Sequence, residues 1–261
     1  MVTEMRKKFN QKGYVSLRNV LTINEKKIIK NIIFENFKEY IKLPKLSKFN
    51  IENKNFHKEL INFRKLKPKK FSEIYDKINL NSKFRSLFYS EKFMNYFAKC
   101  LNVKSNQIYI NGFMMRFDEP FDTRNKLNWH QDSTYYMMSY PKYNAGVCWC
   151  AITKNNKNNW TLKFIPKSHS KLIKTIGLKK NKYSSEQYTL NISEKEIEKV
   201  KNLDQNFGDM SFLHMNLKHR SGDNNSEKVR ITIGCRFIDM TKSFNVGKEI
   251  YKFNNDKFNK K

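Results

Sequence analysis

Apolar positions recur with two different periods along this chain, and the changeover falls near Asn102. Before it the period is helical. Ile28, Ile29, Ile32, Ile33 and Phe37 recur as one face of an amphipathic helix. Thr22 stands three residues ahead of Glu25, a capping box that starts this helix, which is predicted to run to about Tyr40. Thr3 to Gln11 predicts a shorter helix, with Thr3 as N-cap and Gly13 as its stop, followed by a strand over Tyr14–Val20. Between Leu43 and Lys70 the chain is polar and basic, with breaks at Pro44 and Pro68. That segment predicts a surface connection with one short helix near Phe56 to Arg64; the alternative is a cover over a substrate opening. Ser72 can cap a helix to about Ile78, and Ser90 one that ends near Leu101.

Beyond Asn102 the signal is that of strands. Ile108, Ile110, Phe113 and Met115 alternate in part over Gln107–Arg116. Gly146–Thr153 is a nearly continuous apolar run, as expected of a strand buried on both faces. Thr161–Ile165 is a short strand ended by Pro166. Lys171–Asn202 is basic and polar, with a helical piece over Ser193–Val200. Gly208 and Asp209 turn the chain into a strand over Met210–Met215, and Val229–Ile238 closes the set. Strands and turns after a helical lead predict a β-sandwich or barrel with helices packed outside. No repeat or boundary divides the chain. It is read as one domain: a helical lead over 1–102, a β core over 103–240 and a polar tail over 241–261.

Composition narrows the class. Apolar residues make up 39% and aromatics 14% of 261 residues, enough for a real core and too many for a disordered polar chain. No apolar run approaches the roughly 18 residues of a membrane span, and the first residues lack the apolar stretch of a secretory signal. A cytoplasmic location is the expectation. Cys100, Cys148, Cys150 and Cys235 fit no paired zinc spacing and read as reduced core thiols. The net charge of +28 points to an anionic partner, whether nucleic acid, a lipid surface or an acidic substrate. Lys, Asn and Ile are abundant throughout, however, and the lysines are scattered, with small clusters such as Lys65, Lys67, Lys69, Lys70 and Lys179, Lys180, Lys182. The charge is therefore read as compositional, and a nucleic-acid partner is not expected.

The candidate chemistry lies at Trp129-His130-Gln131-Asp132. In an extended backbone His130 and Asp132 point to one face and can reach one metal ion. A His and an Asp so spaced are often only a hydrogen-bonded pair. Two companions alter that reading: His219 in the turn His219-Arg220-Ser221-Gly222-Asp223-Asn224, and Arg230 eleven residues after it inside an apolar alternation. Two histidines and a carboxylate on one face, with other positions open, suit non-haem Fe(II) chemistry.

These pieces, in this order, resemble the phytanoyl-CoA dioxygenase branch of the Fe(II)/2-oxoglutarate-dependent oxygenases. The resemblance runs from the N-terminal segment to about Asp239. It is carried by Gly13-Tyr14-Val15 with Leu21, by His130-Gln131-Asp132 and by Leu162-Lys163-Phe164-Ile165-Pro166-Lys167-Ser168-His169. The remaining pieces are His219 with Ser221, Gly222 and Asn224, and then Arg230. It implies a double-stranded β-helix (jelly-roll) core flanked by N-terminal helices, a fold that is mainly β with helical additions. It implies His130, Asp132 and His219 as Fe(II) ligands, with 2-oxoglutarate and O2 taking the open positions. Arg230 would hold the distal carboxylate of 2-oxoglutarate through two parallel hydrogen bonds, with help from Ser221.

The implied reaction is hydroxylation of an unactivated C–H bond of a small molecule, with release of succinate and CO2; the positive charge, not the resemblance, favours an anionic one. Related halogenases have a small residue where Asp132 stands, so Asp132 points to hydroxylation. The rival readings are a basic anion- or nucleic-acid-binding jelly roll without oxygenase activity, and a Zn(II) hydrolase with the same ligands.

The chain departs from the family pattern at Lys167 and near Trp160, where Gly is usual. His214 competes with His219 but has neither the spacing nor the following turn, and reads as a core histidine. His169 reads as structural, and His57 carries no signal. Tyr135, Tyr136 and Trp149 are candidates for the pocket wall. Which of Met114, Met115 and Arg116 faces inward is left open by the pattern.

Overall fold

The computed structural model describes residues 3–121, 126–135, 144–156, 161–173, 178–179 and 187–242. Tyr136, Trp160, Lys180, Lys182 and the tail after Lys242 lie outside the described residues.

Seven helices are described: α1 (Glu4–Lys12), α2 (Ile23–Phe37), α3 (Lys54–Leu66), α4 (Pro68–Leu80), α5 (Ser82–Phe88), α6 (Glu91–Leu101) and α7 (Glu194–Ile197). The Thr22–Glu25 capping box forms, and Thr3 caps α1 by accepting from the Arg6 amide. Ile29, Ile32, Ile33 and Phe37 are buried on α2 as expected, but Ile28 is 37% exposed. Ile28 lies about 100° round the helix from Ile29, off the face that meets the core.

The larger correction is between Leu43 and Lys70. This is no surface connection. Asn53 caps α3, whose Phe56, His57, Leu60, Phe63 and Arg64 are buried. Helix α4 starts at Pro68, not after Ser72, because proline at the first helical position loses no hydrogen bond. Helix α5, capped by Asn81, was not anticipated.

The strands are β1 (Tyr14–Leu17), β2 (Ile108–Asp118), β3 (Ala145–Ala151), β4 (Lys163–Phe164), β5 (Leu178–Lys179), β6 (Gln187–Tyr188), β7 (Lys201–Asn202), β8 (Met210–His214), β9 (His219–Arg220) and β10 (Arg230–Asp239). Five form an antiparallel sheet in the order β1-β8-β3-β10-β2, three a second sheet β7-β4-β9, and β5 pairs with β6. β1 ends at Leu17, short of Val20, because the chain turns at Asn19 (φ 51°), whose amide donates to Asp209.

Period two explains both the nearly continuous apolar run of β3 and the alternation of β10. On one face of the large sheet Met115, Phe117, Cys148, Cys150, Phe212, Cys235 and Phe237 join the core beneath the helices. Phe97 of α6 stacks on Phe237 with centroids 4.6 Å apart, and Phe37 of α2 meets Phe117 at 5.4 Å. On the other face Trp149 and Leu213 pack with Phe164 of the small sheet and with Leu162 just before it. Each strand is thus buried twice, under helices and under the second sheet. Two facing antiparallel sheets with helices outside make the jelly-roll arrangement expected. All four cysteines are buried free thiols.

Candidate metal centre

His130 and His219 sit directly opposite each other as an isolated antiparallel bridge. The His130 amide donates to the His219 carbonyl at 2.9 Å, and the His219 amide donates back at 3.0 Å. Such a pair projects both side chains to one face, and the two rings lie 4.2 Å apart. Asp132 follows two residues on, where the chain enters a 3-10 turn over Asp132–Thr134. Its Oδ1 is 3.5 Å from His130 Nε2 and 3.9 Å from His219 Nε2. One donor atom from each of the three lies within 4.8 Å of the others, and all three residues are buried. Between them Gln131 points the other way. Its Nε2 donates to the Lys171 and Asn216 carbonyls and its Oε1 accepts from the Ile173 amide, so it anchors the segment that carries the two candidate ligands.

The imidazoles are oriented by their own backbone. His130 Nδ1 is 2.7 Å from the Asn128 carbonyl and His219 Nδ1 is 2.8 Å from the Leu217 carbonyl. A carbonyl can only accept, so Nδ1 carries the proton and Nε2 presents a lone pair to the centre. Burial and the neighbouring His130 push the His219 imidazole down to about 4, against the pull of Asp132. Burial alone would raise the Asp132 carboxyl, but the His130 ring beside it and the charge of Arg236 outweigh that and hold it well below the usual range. Two neutral nitrogens and one carboxylate are the donor set that a divalent first-row metal accepts. The residues fit iron.

The turn after His219 is explained by its contacts. A Cβ on Gly222 would stand 2.3 Å from the Thr161 carbonyl oxygen, so only glycine allows this approach. Asn224 is buried and closes the turn, donating to the Lys228 carbonyl and accepting from Ser226. Ser221 Oγ accepts from the Leu127 amide at 3.1 Å and lines the cavity beside the three candidate ligands.

Arg230 lines the same cavity and is 2% exposed. It faces inward, where it already has a protein partner. Its Nε and Nη2 both donate to Asp118 Oδ2. Arg116 Nη2 donates to Asp118 Oδ1 at 3.0 Å, and both guanidinium groups lie over the Trp149 ring, 5.4 and 5.6 Å from its centroid. Burial would raise the Asp118 carboxyl, yet Arg116 and Arg230 outweigh it and keep the group ionised. Met114 and Arg116 face the cavity, while Met115 faces the helices. Arg236 also lines the cavity.

The model of the phytanoyl-CoA dioxygenase (PhyH) family matches residues 9–232. The chain belongs to the phytanoyl-CoA dioxygenase family. Its enzyme class is therefore that of the Fe(II)/2-oxoglutarate-dependent dioxygenases. No curated protein matches it in sequence. Among solved structures, the non-heme monooxygenase ThoJ is 18% identical with a TM-score of 0.60, over 90% of this chain and 77% of that one. EctD from S. alaskensis, with 2-oxoglutarate and 5-hydroxyectoine, is 14% identical with a TM-score of 0.61, over 93% and 77%. The non-heme alpha ketoglutarate dependent carbocyclase SnoK from nogalamycin biosynthesis is 15% identical with a TM-score of 0.57, over 92% and 84%. At these identities the likeness is one of fold.

The other histidines of this family member lie apart from the centre. His214 Nδ1 accepts from the Asn216 amide, and its ring packs against Phe9 and His169. His169 Nε2 donates to the Asn10 carbonyl. His57, without signal in the sequence, is fully buried and its Nδ1 accepts from the Val229 amide, next to Arg230. Trp149 lines the cavity; Tyr135 instead packs edge-on to His130, with centroids 5.8 Å apart. Asp118 carried no local signal, since a charged residue on a strand is read as solvent-facing until the sheet is known to be covered on both sides. No helix among the described residues is long and apolar enough to cross a membrane.

Proposed function

We propose that this chain hydroxylates a C–H bond of a small, anionic molecule, with His130, Asp132 and His219 as the iron ligands. The observation that carries the reading is the convergence of two pinned imidazoles and a buried carboxylate within 4.8 Å. Iron bound there supplies the activation of O2, coupled to decarboxylation of 2-oxoglutarate to succinate and CO2. One oxygen atom goes to succinate and the other to the substrate carbon. Arg230, held in place by Asp118, would present its guanidinium to the distal carboxylate of 2-oxoglutarate, and the Ser221 hydroxyl, whose oxygen accepts from the Leu127 amide, would donate its proton to the same carboxylate. Trp149, whose ring lies against the Arg230 guanidinium, helps exclude water from that end of the cavity. As a ligand, Asp132 would fill the position that a halide needs, which favours hydroxyl as the group transferred. EctD, whose structure contains 5-hydroxyectoine, and the monooxygenase ThoJ lend support to oxygen insertion, while SnoK, a carbocyclase, marks the alternative outcome.

The test is anaerobic loading with Fe(II), metal counting, and succinate release after O2 is admitted with 2-oxoglutarate. One iron per chain and succinate formation abolished in His130→Ala and Asp132→Ala are expected. A protein that takes up neither Fe(II) nor Co(II) and binds nucleic acid with a steep salt dependence would instead be the basic binding module. Turnover without 2-oxoglutarate would leave the Zn(II) hydrolase.

A further inference from the structure

Strand β10 carries two inward arginines, and only Arg230 has a role in the reading above. Arg236 lies six residues further along the strand and lines the same cavity. Six residues of strand span roughly 20 Å, so the two guanidinium groups serve different ends of the cavity. Their electrostatic neighbours agree. Arg230 acts on Asp118 and Arg116, whereas Arg236 acts on Asp132 and His219. The metal centre thus sits between two cationic ends.

The strand pairing is modified where Arg236 lies. The β10–β2 register slips between Gly234 and Arg236, so that Gly234 faces Met114 but Arg236 faces Asn111. Gly112, with φ 58°, and Phe113 stand on β2 where β10 has Cys235 alone, so β2 carries one extra residue. A Cβ there would stand 2.2 Å from Arg236 Nη1. The bulge and the glycine together make the space in which the guanidinium lies, and bulges that re-aim a side chain are a device of active sites. The side chain is 9% exposed, beside Val147, its cross-strand neighbour. A buried guanidinium in a cavity wall selects for an oxyanion and against a neutral group of the same shape.

From this geometry we infer that Arg236 holds an anionic group of the primary substrate, a carboxylate or a phosphate, on the side of the metal centre away from Arg230. The substrate is then an organic acid or phosphate ester whose reacting carbon lies between that group and the metal. This rests on the reading of the site given above.

The test uses the full chain loaded anaerobically with Co(II) and then 2-oxoglutarate. Calorimetric titrations follow with acetate, propionate and butyrate, with methyl phosphate, and with acetamide, propionamide and butyramide. Saturable binding of one anion class and none of the amides is expected, and the class that binds names the substrate group. Arg236→Gln should weaken that binding at least about tenfold, with Arg236→Lys intermediate, while 2-oxoglutarate still binds both variants, which also certifies their folding. The inference is overturned if no anion binds the loaded wild-type protein, if amides bind as well as acids, or if Arg236→Gln binds anions undiminished. It is equally overturned if that substitution weakens 2-oxoglutarate and leaves the test anions alone. If the wild-type protein fails to bind 2-oxoglutarate at the first step, the underlying oxygenase reading fails with it, and that failure is visible before any anion is added.

Discussion

A histidine serves a metal only in one tautomer, and at His130 and His219 the backbone has chosen it. Each ring donates Nδ1–H to a carbonyl two residues upstream, so neither depends on another side chain for its orientation. Replacing either ring by alanine should lower Co(II) affinity by more than about 100-fold, read by equilibrium dialysis. The ion cluster at the far end behaves differently. Asp118 is fully buried between Arg116 and Arg230. Asp118→Asn removes the only carboxylate that the described contacts give this pair, and should cost about 3–5 kcal/mol in urea unfolding. Arg230→Gln should raise the KM for 2-oxoglutarate by tens of fold with metal uptake retained, and Ser221→Ala by only a few fold, since a neutral hydroxyl contributes less than a bidentate ion pair. The three candidate ligands were legible because their types and spacing are chemical statements in themselves. Arg116 and Asp118 were not, because a bulge at Gly112 resets the alternation and no local pattern announces which face of β2 is inward, whereas Arg236 shares the parity of Arg230 on β10.

At the scale of elements, the sequence was most informative where a cap or a period is strong and least where burial is decided by distant partners. The Thr22 capping box, the apolar run of β3 and the apolar alternation of β10 are local signals, and each forms the element it predicts. Around helix α3 the sequence predicts only a short helix, near Phe56 to Arg64, in a surface connection, because the segment from Leu43 to Lys70 is polar and basic. The burial of α3 comes from Phe37 and Phe71, which meet Phe63 from other helices. Lys167 shows the opposite case. The family pattern has glycine there, and the chain keeps the glycine-type backbone, φ 65°, with a lysine in it. The loop geometry is therefore retained under strain, tied by the Lys167 amide to the Lys12 carbonyl. Lys167→Gly should raise stability by about 0.5–1 kcal/mol, visible as a higher denaturation midpoint without loss of metal uptake.

At the scale of the whole molecule, titration and charge become global properties. Burial pushes the His57 imidazole down to about 4, from an ordinary value near 6.5. In the unfolded chain it takes a proton below about 6.5 that the folded chain refuses until about 4. Stability is therefore complete above about 6.5 and falls as the pH drops through that window, by up to roughly 3 kcal/mol. Urea unfolding at pH 7.5 and pH 5 should show this loss, and His57→Gln should flatten it. The net charge of +28 adds a field that draws small acids toward the cavity, an effect that added salt should weaken in the rate of association. The bridge between His130 and His219 carries one more consequence. Because two amide-to-carbonyl bonds already clamp these residues together, the cage is built by the polypeptide before any ion arrives. Stripping the ion with a chelator should leave deuterium uptake at these two amides nearly as slow as before, and reloading should be limited by how fast the cation diffuses in, with no refolding step to wait for.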